Sequence, residues 1–292
     1  MASSEVLAIE PLAADDVAGG LALSDAAGWN QSADDWSFFI AAGAAFGVRD
    51  EAGALIATAA ALPYDAATGW ISMVLVDAAH RHRGIASQLV DACVASLREA
   101  GRTPVLDATP AGAAVYEKIG FVAGFGFERW EGDGAAASAA LDSNGAVAAG
   151  AWRGAVAAGA SQGESLVALD RGAGGVDRAL LLRSFLARPG TRAWLAPSGD
   201  GLAIRRVGRR AAQVGPIVAA DDTPALDLLG AALDGGAGRV FIDVPVHRTS
   251  IADALTRRGF ARQRPFVRMA LGDACAAAAR DRVFGLAGPE FG

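Results

Sequence analysis

Residues His80-Arg81-His82-Arg83-Gly84-Ile85-Ala86-Ser87 place basic side chains and one glycine directly ahead of an apolar helical repeat. That combination suits anion binding. The first N–H groups of a helix have no carbonyl partners and carry partial positive charge. Gly84 lets the backbone approach a ligand with no Cβ in the way. Ala86 keeps the next turn accessible, Ser87 adds a hydroxyl donor, and Arg81 and Arg83 supply directed cationic donors. A polar turn that merely caps a helix has the same composition, so the surrounding elements decide between the two.

A second group, Gly28-Trp29-Asn30-Gln31-Ser32-Ala33-Asp34-Asp35-Trp36, is dense in functional side chains for so alanine-rich a chain. Trp29 and Trp36 could wall an apolar ligand, Asn30 and Gln31 could orient it, and Asp34 or Asp35 could receive an ammonium. The same residues equally describe a capped helix with two packing tryptophans. Asp65 and Glu128 are further general-base candidates. His80 and His82 read as loop residues, and His247, with Asp243 as its useful neighbour, as a structural or helix-start residue. No His, Cys or carboxylate cluster has metal-ligand spacing, so no metal is expected.

These residues need elements to hold them. Residues 6–12 read as a strand, the following stretch to Trp29 as a helix, and the run from Ser32 as a second short helix. Two apolar runs joined by Asp50-Glu51-Ala52-Gly53 predict a hairpin. Residues 69–77 form a strand rich in β-branched and large residues. Beyond the basic loop, Ile85, Leu89, Cys93 and Leu97 recur every fourth residue, the buried face of a helix that Gly101 stops. A short buried strand (103–108), a helix (111–119) and a final strand region complete the unit.

The composition then thins to small residues over 133–150, which predicts a linker between a domain at 1–132 and another at 151–292. The second half repeats the first. Residues 21–29 resemble 167–175, 36–48 resemble 183–196, 72–77 correspond to 215–221, 105–110 to 241–246, and 116–130 to 255–269. Five pairings in one order predict two copies of one αβ domain. The second copy has no basic glycine loop, continuing as Asp221-Asp222-Thr223-Pro224, and has Leu255 where the first has Tyr116.

The bulk properties exclude several classes. A net charge of −6 with a single lysine, Lys118, gives no reason to expect a nucleic-acid or anionic-membrane partner. The Arg-rich stretch 204–210 reads as a solvent-facing edge strand or turn. Cys93 and Cys275 supply neither a disulfide framework nor metal spacing. No apolar run approaches the length of a membrane span, and no leader pattern opens the chain, so a cytoplasmic location is expected.

The run Arg81-His82-Arg83-Gly84-Ile85-Ala86 resembles the Arg/Gln-x-x-Gly-x-Gly/Ala signature of the GCN5-related N-acetyltransferase (GNAT) superfamily. Residues 109–121, Thr-Pro-Ala-Gly-Ala-Ala-Val-Tyr-Glu-Lys-Ile-Gly-Phe, resemble its second landmark, an Asn followed by a helix ending Tyr-Glu-Lys-Leu-Gly-Phe. The resemblance implies an α/β (α+β) fold of two GNAT-like domains, each a mixed, largely antiparallel sheet flanked by helices, the C-terminal copy degenerate. It implies acetyl-CoA as donor, held by backbone groups of Val74, Leu75 and Val76 and by N–H groups from His82 to Ser87. Tyr116 would protonate the departing thiolate. Thr109 stands where many members have Asn, which implies an altered contact to the donor arm. The acceptor would be an amine of a small molecule, amino acid or peptide, lying against Trp29, Asn30, Asp34, Asp35 and Trp36. A non-catalytic acetyl-CoA sensor is the alternative; a monomer or homodimer suits either. The second copy would serve as scaffold or pocket wall.

Overall fold

The computed structural model describes residues 8–135, 155–174, 176–272 and 281–292. The chain folds into two compact units, Met1–Leu106 and Asp107–Gly292.

The first unit runs β1 (Glu10–Pro11), α1 (Val17–Ala26), α2 (Ala33–Ala42), β2 (Ala44–Arg49), β3 (Leu55–Pro63), β4 (Thr68–Val76), α3 (Ile85–Glu99) and β5 (Thr103–Ala108), whose last two residues cross the division. Local chemistry sets the boundaries. Ser32 and Asp35 form a reciprocal capping box that starts α2. At the β2–β3 turn the Asp50 carboxylate accepts from Ala52 N and Ala54 N, and Gly53 takes the left-handed conformation. Ile85, Leu89, Val90, Cys93 and Leu97 bury one face of α3 against β3 and β4, and left-handed Gly101 follows its end. Strands β1 to β4 are antiparallel neighbours, and β4 pairs in parallel with β5.

The second unit contains α4 (Pro110–Lys118), β6 (Phe121–Asp133), β7 (Val156–Ala157), α5 (Gly163–Gly174), α6 (Ala179–Ala187), β8 (Arg192–Leu195), β9 (Leu202–Arg206), β10 (Ala212–Val218), α7 (Asp222–Leu233), β11 (Arg239–Pro245), α8 (Thr249–Arg257), β12 (Ala261–Leu271) and β13 (Val283–Gly285). Its strands lie in the order β12-β6-β11-β10-β9-β8-β7, with β13 also on β10. Apart from β13, the order from β7 to β12 repeats the order from β1 to β6 element by element.

The compact units divide well before the composition break at 133–150, most of which lies outside the described residues. The reason is strand pairing. β6, last in the first repeat, is antiparallel to both β11 and β12, so its hydrogen bonds belong to the later unit. The Arg-rich stretch is an exposed turn at Arg209 and Arg210, as read, but its first part is not an edge strand. β9 is an interior strand between β8 and β10, and Arg206 is 2% exposed. Its charge is matched by Glu290 at 3.2 Å and by the faces of Phe185 and Phe291.

Candidate functional site

The first unit interrupts its central strand where the basic loop begins to form. Ala60 pairs with Ser72, but Thr58 pairs with Leu75, so β4 carries one residue more than β3 across this interval. Met73 absorbs the excess with φ 54°, a left-handed conformation unusual for a non-glycine residue. The hydroxyl of Thr58, fully buried, donates to the Met73 carbonyl at 2.9 Å and pins the bulge. On its other edge β4 pairs with β5 only from Thr68 to Trp70. Beyond Trp70, among the described residues, no strand pairs with that edge, and the backbone of Val74, Leu75 and Val76 follows the bulge directly. Ser72 Oγ and Gln31 Oε1 are buried polar atoms with no protein partner. Neither Ser72 nor the bulge has a sequence signature, because both are visible only through register.

The loop from β4 to α3 is built from the same strand. Asp77 accepts from Ala79 N at 3.0 Å and lies 3.1 Å from His80 Nδ1. His80 and that amide hold its carboxyl below the ordinary carboxylate range. Arg81 Nε donates back to the Val76 carbonyl at 3.1 Å. His82 and Gly84 are both left-handed, with φ 63° and 77°. Gly84 is the N-cap of α3, and among the described residues no side chain caps that helix. Arg81 to Gly84 and Ser87 are exposed, Ala86 is half-buried, and Ile85 anchors the first turn in the core. A Cβ added at Gly84 would meet nothing within 4 Å, so φ alone demands glycine here and the space above it is open. The sequence-predicted loop residues thus converge on an uncapped helix N-terminus, the geometry that anions favour.

Two residues of the 29–36 segment are engaged inside the fold. Trp36 is fully buried, and its indole N–H donates to Ser24 Oγ at 2.8 Å. The Asp35 carboxylate accepts from Ser32 N at 2.8 Å within the capping box. Both are structural partners. Trp29 is half-buried, Asn30 is 5% exposed, and Asp34 lies exposed in the first turn of α2.

Thr109 and Tyr116 lie in the second unit. Thr109 is the N-cap of α4, its Oγ1 accepting from Gly112 N at 3.3 Å. Tyr116 is half-buried, its ring centroid 5.8 Å from that of Phe121. Gly112, one turn earlier, makes room for the ring, since a Cβ there would lie 3.3 Å from Tyr116 Cε2. The remaining candidates have structural partners. Asp65 accepts from Ala67 N and Thr68 N in a turn, and Glu128 pairs with Arg262 at 3.1 Å. Asp243 is bound to Arg129 and Gln213, while the His247 ring lies 6.4 Å from that of Phe125. Among the described residues no three His, Cys, Asp or Glu side chains gather as a metal site, and no helix is long and apolar enough to cross a membrane.

Comparison with known proteins places both halves. Residues 21–121 match the acetyltransferase (GNAT) family, and residues 166–285 match an acetyltransferase (GNAT) domain. The chain belongs to the GNAT superfamily and carries two GNAT domains in tandem. It is 25% identical over 257 residues to the uncharacterized N-acetyltransferase YitH of Bacillus subtilis, a match covering 84% of either chain. Its fold is similar to that of a putative acetyltransferase from Pyrococcus horikoshii, with TM-score 0.79, 19% identity, and 98% and 96% of the two chains covered. The tandem GNAT protein from the clavulanic acid biosynthesis pathway is also similar, with TM-score 0.65, 17% identity, and 90% and 98% covered. The protein is an acetyltransferase of the GNAT type.

Proposed function

We propose that the protein transfers an acetyl group from acetyl-CoA to an amine of a small molecule, amino acid or peptide. One observation carries this reading: the bulged, one-sided strand β4 leads directly into an uncapped helix N-terminus behind left-handed Gly84. Backbone groups of Val74, Leu75 and Val76 hold the donor's extended arm. The N–H groups from His82 to Ser87, with Arg81 and Arg83, hold its pyrophosphate. Thr109, in the family's second landmark, keeps its hydroxyl proton available as a donor.

The deprotonated acceptor amine attacks the thioester carbonyl carbon, and a backbone N–H near Val76 stabilises the developing oxyanion. As the C–S bond breaks, Tyr116 gives its phenolic proton to the departing thiolate and is later reprotonated from solvent. The acceptor nitrogen loses its extra proton to solvent. Trp29, Asn30 and Asp34 form the acceptor wall; Asp35 and Trp36 support it from within α2.

Thiol release from acetyl-CoA, followed against a panel of amines, amino acids and peptides, tests this function. Turnover with at least one amine is expected. Calorimetry showing no acetyl-CoA binding would sink the donor site. Binding without turnover across a broad panel would favour the sensor.

A further inference from the structure

The second domain carries the same interrupted strand, and there the gap is filled. β10 pairs in parallel with β11 from Ala212–Val214 to Val240–Ile242, the counterpart of the β4–β5 pairing. Just beyond, its register on β9 slips by one residue, from Val214 opposite Arg205 to Ile217 opposite Ala203. This is the slip that β4 makes on β3. Where no strand among the described residues pairs with the edge of β4, β10 receives β13, with Ile217 opposite Gly285 and Val218 opposite Val283. The inserted segment also reaches β11, since Leu286 N donates to the Asp243 carbonyl at 2.8 Å.

The segment is locked in on every side. Phe284, Leu286, Ala287 and Phe291 are at most 1% exposed. Glu290 pairs with buried Arg206, which also donates to the Ala287 carbonyl. Arg178, held by Asp170 through two contacts of 2.9 Å, donates to the Phe291 carbonyl at 3.1 Å and to that of Gly292. Gly215 is required by this contact, because a Cβ there would lie 1.8 Å from the Leu286 carbonyl oxygen. Nor does the adjoining helix invite an anion. The Asp221 carboxylate caps α7 by accepting from Thr223 N, and Asp222 adds a second negative charge in its first turn.

We infer that residues 281–292 are the resident occupant of the second domain's donor cleft. An extended apolar peptide strand takes the place that the acyl-donor arm takes in the first domain, so the chain binds one acyl donor. The count rests on the proposed donor site at β4 and Gly84; the plug itself does not.

Hydrogen exchange and calorimetry on the full chain separate the two. Without ligand, the amides of Leu286 and of Ala219, which donates to the Arg282 carbonyl at 3.0 Å, are expected to exchange at least a hundredfold more slowly than exposed loop amides. Exchange at loop rates overturns the plug. Coenzyme A is expected to bind at one equivalent per chain, slowing exchange at 74–76 and 82–87 and leaving 217–219 and 282–287 unchanged. Two equivalents, or deprotection of 282–287 on saturation, overturns the inference. Zero equivalents overturns the donor-site reading and the count, while unliganded exchange still decides the plug. Leu286→Ala is expected to speed exchange at 217–219 and 282–287 at least tenfold and to keep one equivalent, because Asp221 and Asp222 still oppose the diphosphate. A second equivalent in that variant would mean that α7 accepts the diphosphate and that only the plug had excluded it, which overturns the part of the inference that rests on Asp221 and Asp222.

Discussion

The buried hydroxyl of Thr58 on β3 donates to the carbonyl of Met73 on β4 at 2.9 Å. One side chain thereby bonds a carbonyl inside the bulge and ties β3 to β4 across it. Thr58→Val keeps the shape and removes the donor. A loss of about 1–3 kcal/mol in unfolding free energy is expected for the orphaned carbonyl, together with a several-fold rise in KM for acetyl-CoA. Urea titration and steady-state kinetics check both. An unchanged KM would show that the bulge does not shape the donor site.

Gly84 separates conformational cost from ligand space. Gly84→Ala places a residue with a Cβ at φ 77° and is expected to cost about 1–2 kcal/mol. Because the added Cβ meets no protein atom within 4 Å, any further effect must come from the ligand. Donor affinity is expected to fall at least tenfold, measured by calorimetry at a temperature where the variant is fully folded.

Tyr116→Phe preserves the ring that packs near Phe121 and removes the proton donor. With a reactive acceptor, kcat is expected to fall by about a hundredfold, with KM for acetyl-CoA changed less than twofold. Equal kcat in the two proteins would remove Tyr116 from the reaction.

In the second domain, Arg129 makes two hydrogen bonds to Asp243, at 2.9 and 2.8 Å, and Gln213 makes a third at 2.9 Å. Arg129→Met leaves a buried carboxylate short of its cation, an expected loss of about 3–5 kcal/mol. Adding Asp243→Asn is expected to recover part of it. A double mutant whose loss equals the sum of the two singles would show that the pair is not coupled.

Cys93 lies on the buried face of α3, and burial pushes its thiol up to about 12. The folded state therefore keeps the neutral thiol, whereas the unfolded chain ionises near the ordinary value of about 8.5. The stability from Cys93 is fully present below that value and is lost as pH rises toward the folded value, by about 1.4 kcal/mol per pH unit. In a Cys275→Ser background, Cys93→Ala is expected to flatten this decline between neutral and alkaline pH. The Cys93 thiol is also expected to resist labelling at pH 8 until the protein is unfolded.

The sequence by itself determined the features that neighbouring residues control. The every-fourth-residue face of α3, Gly101 at its end, the Asp50–Gly53 turn and the basic loop all follow from periods and conformations set within a few residues. The repeat was legible because each copy spells its elements in the same order. Register and partnership were decided only by the tertiary structure. Whether Trp36 faced a ligand or Ser24, whether Arg206 met solvent or Glu290, and where β6 would pair depend on residues distant in the chain. The bulge at Met73 has no local signature, since only the slip against β3 reveals it. Residues 281–292 carry no motif in the sequence, because three strand residues hold too little pattern to announce a partner. Their position became visible once β10 and β11 had diverged around them and Arg206 and Arg178 had closed over their carbonyls.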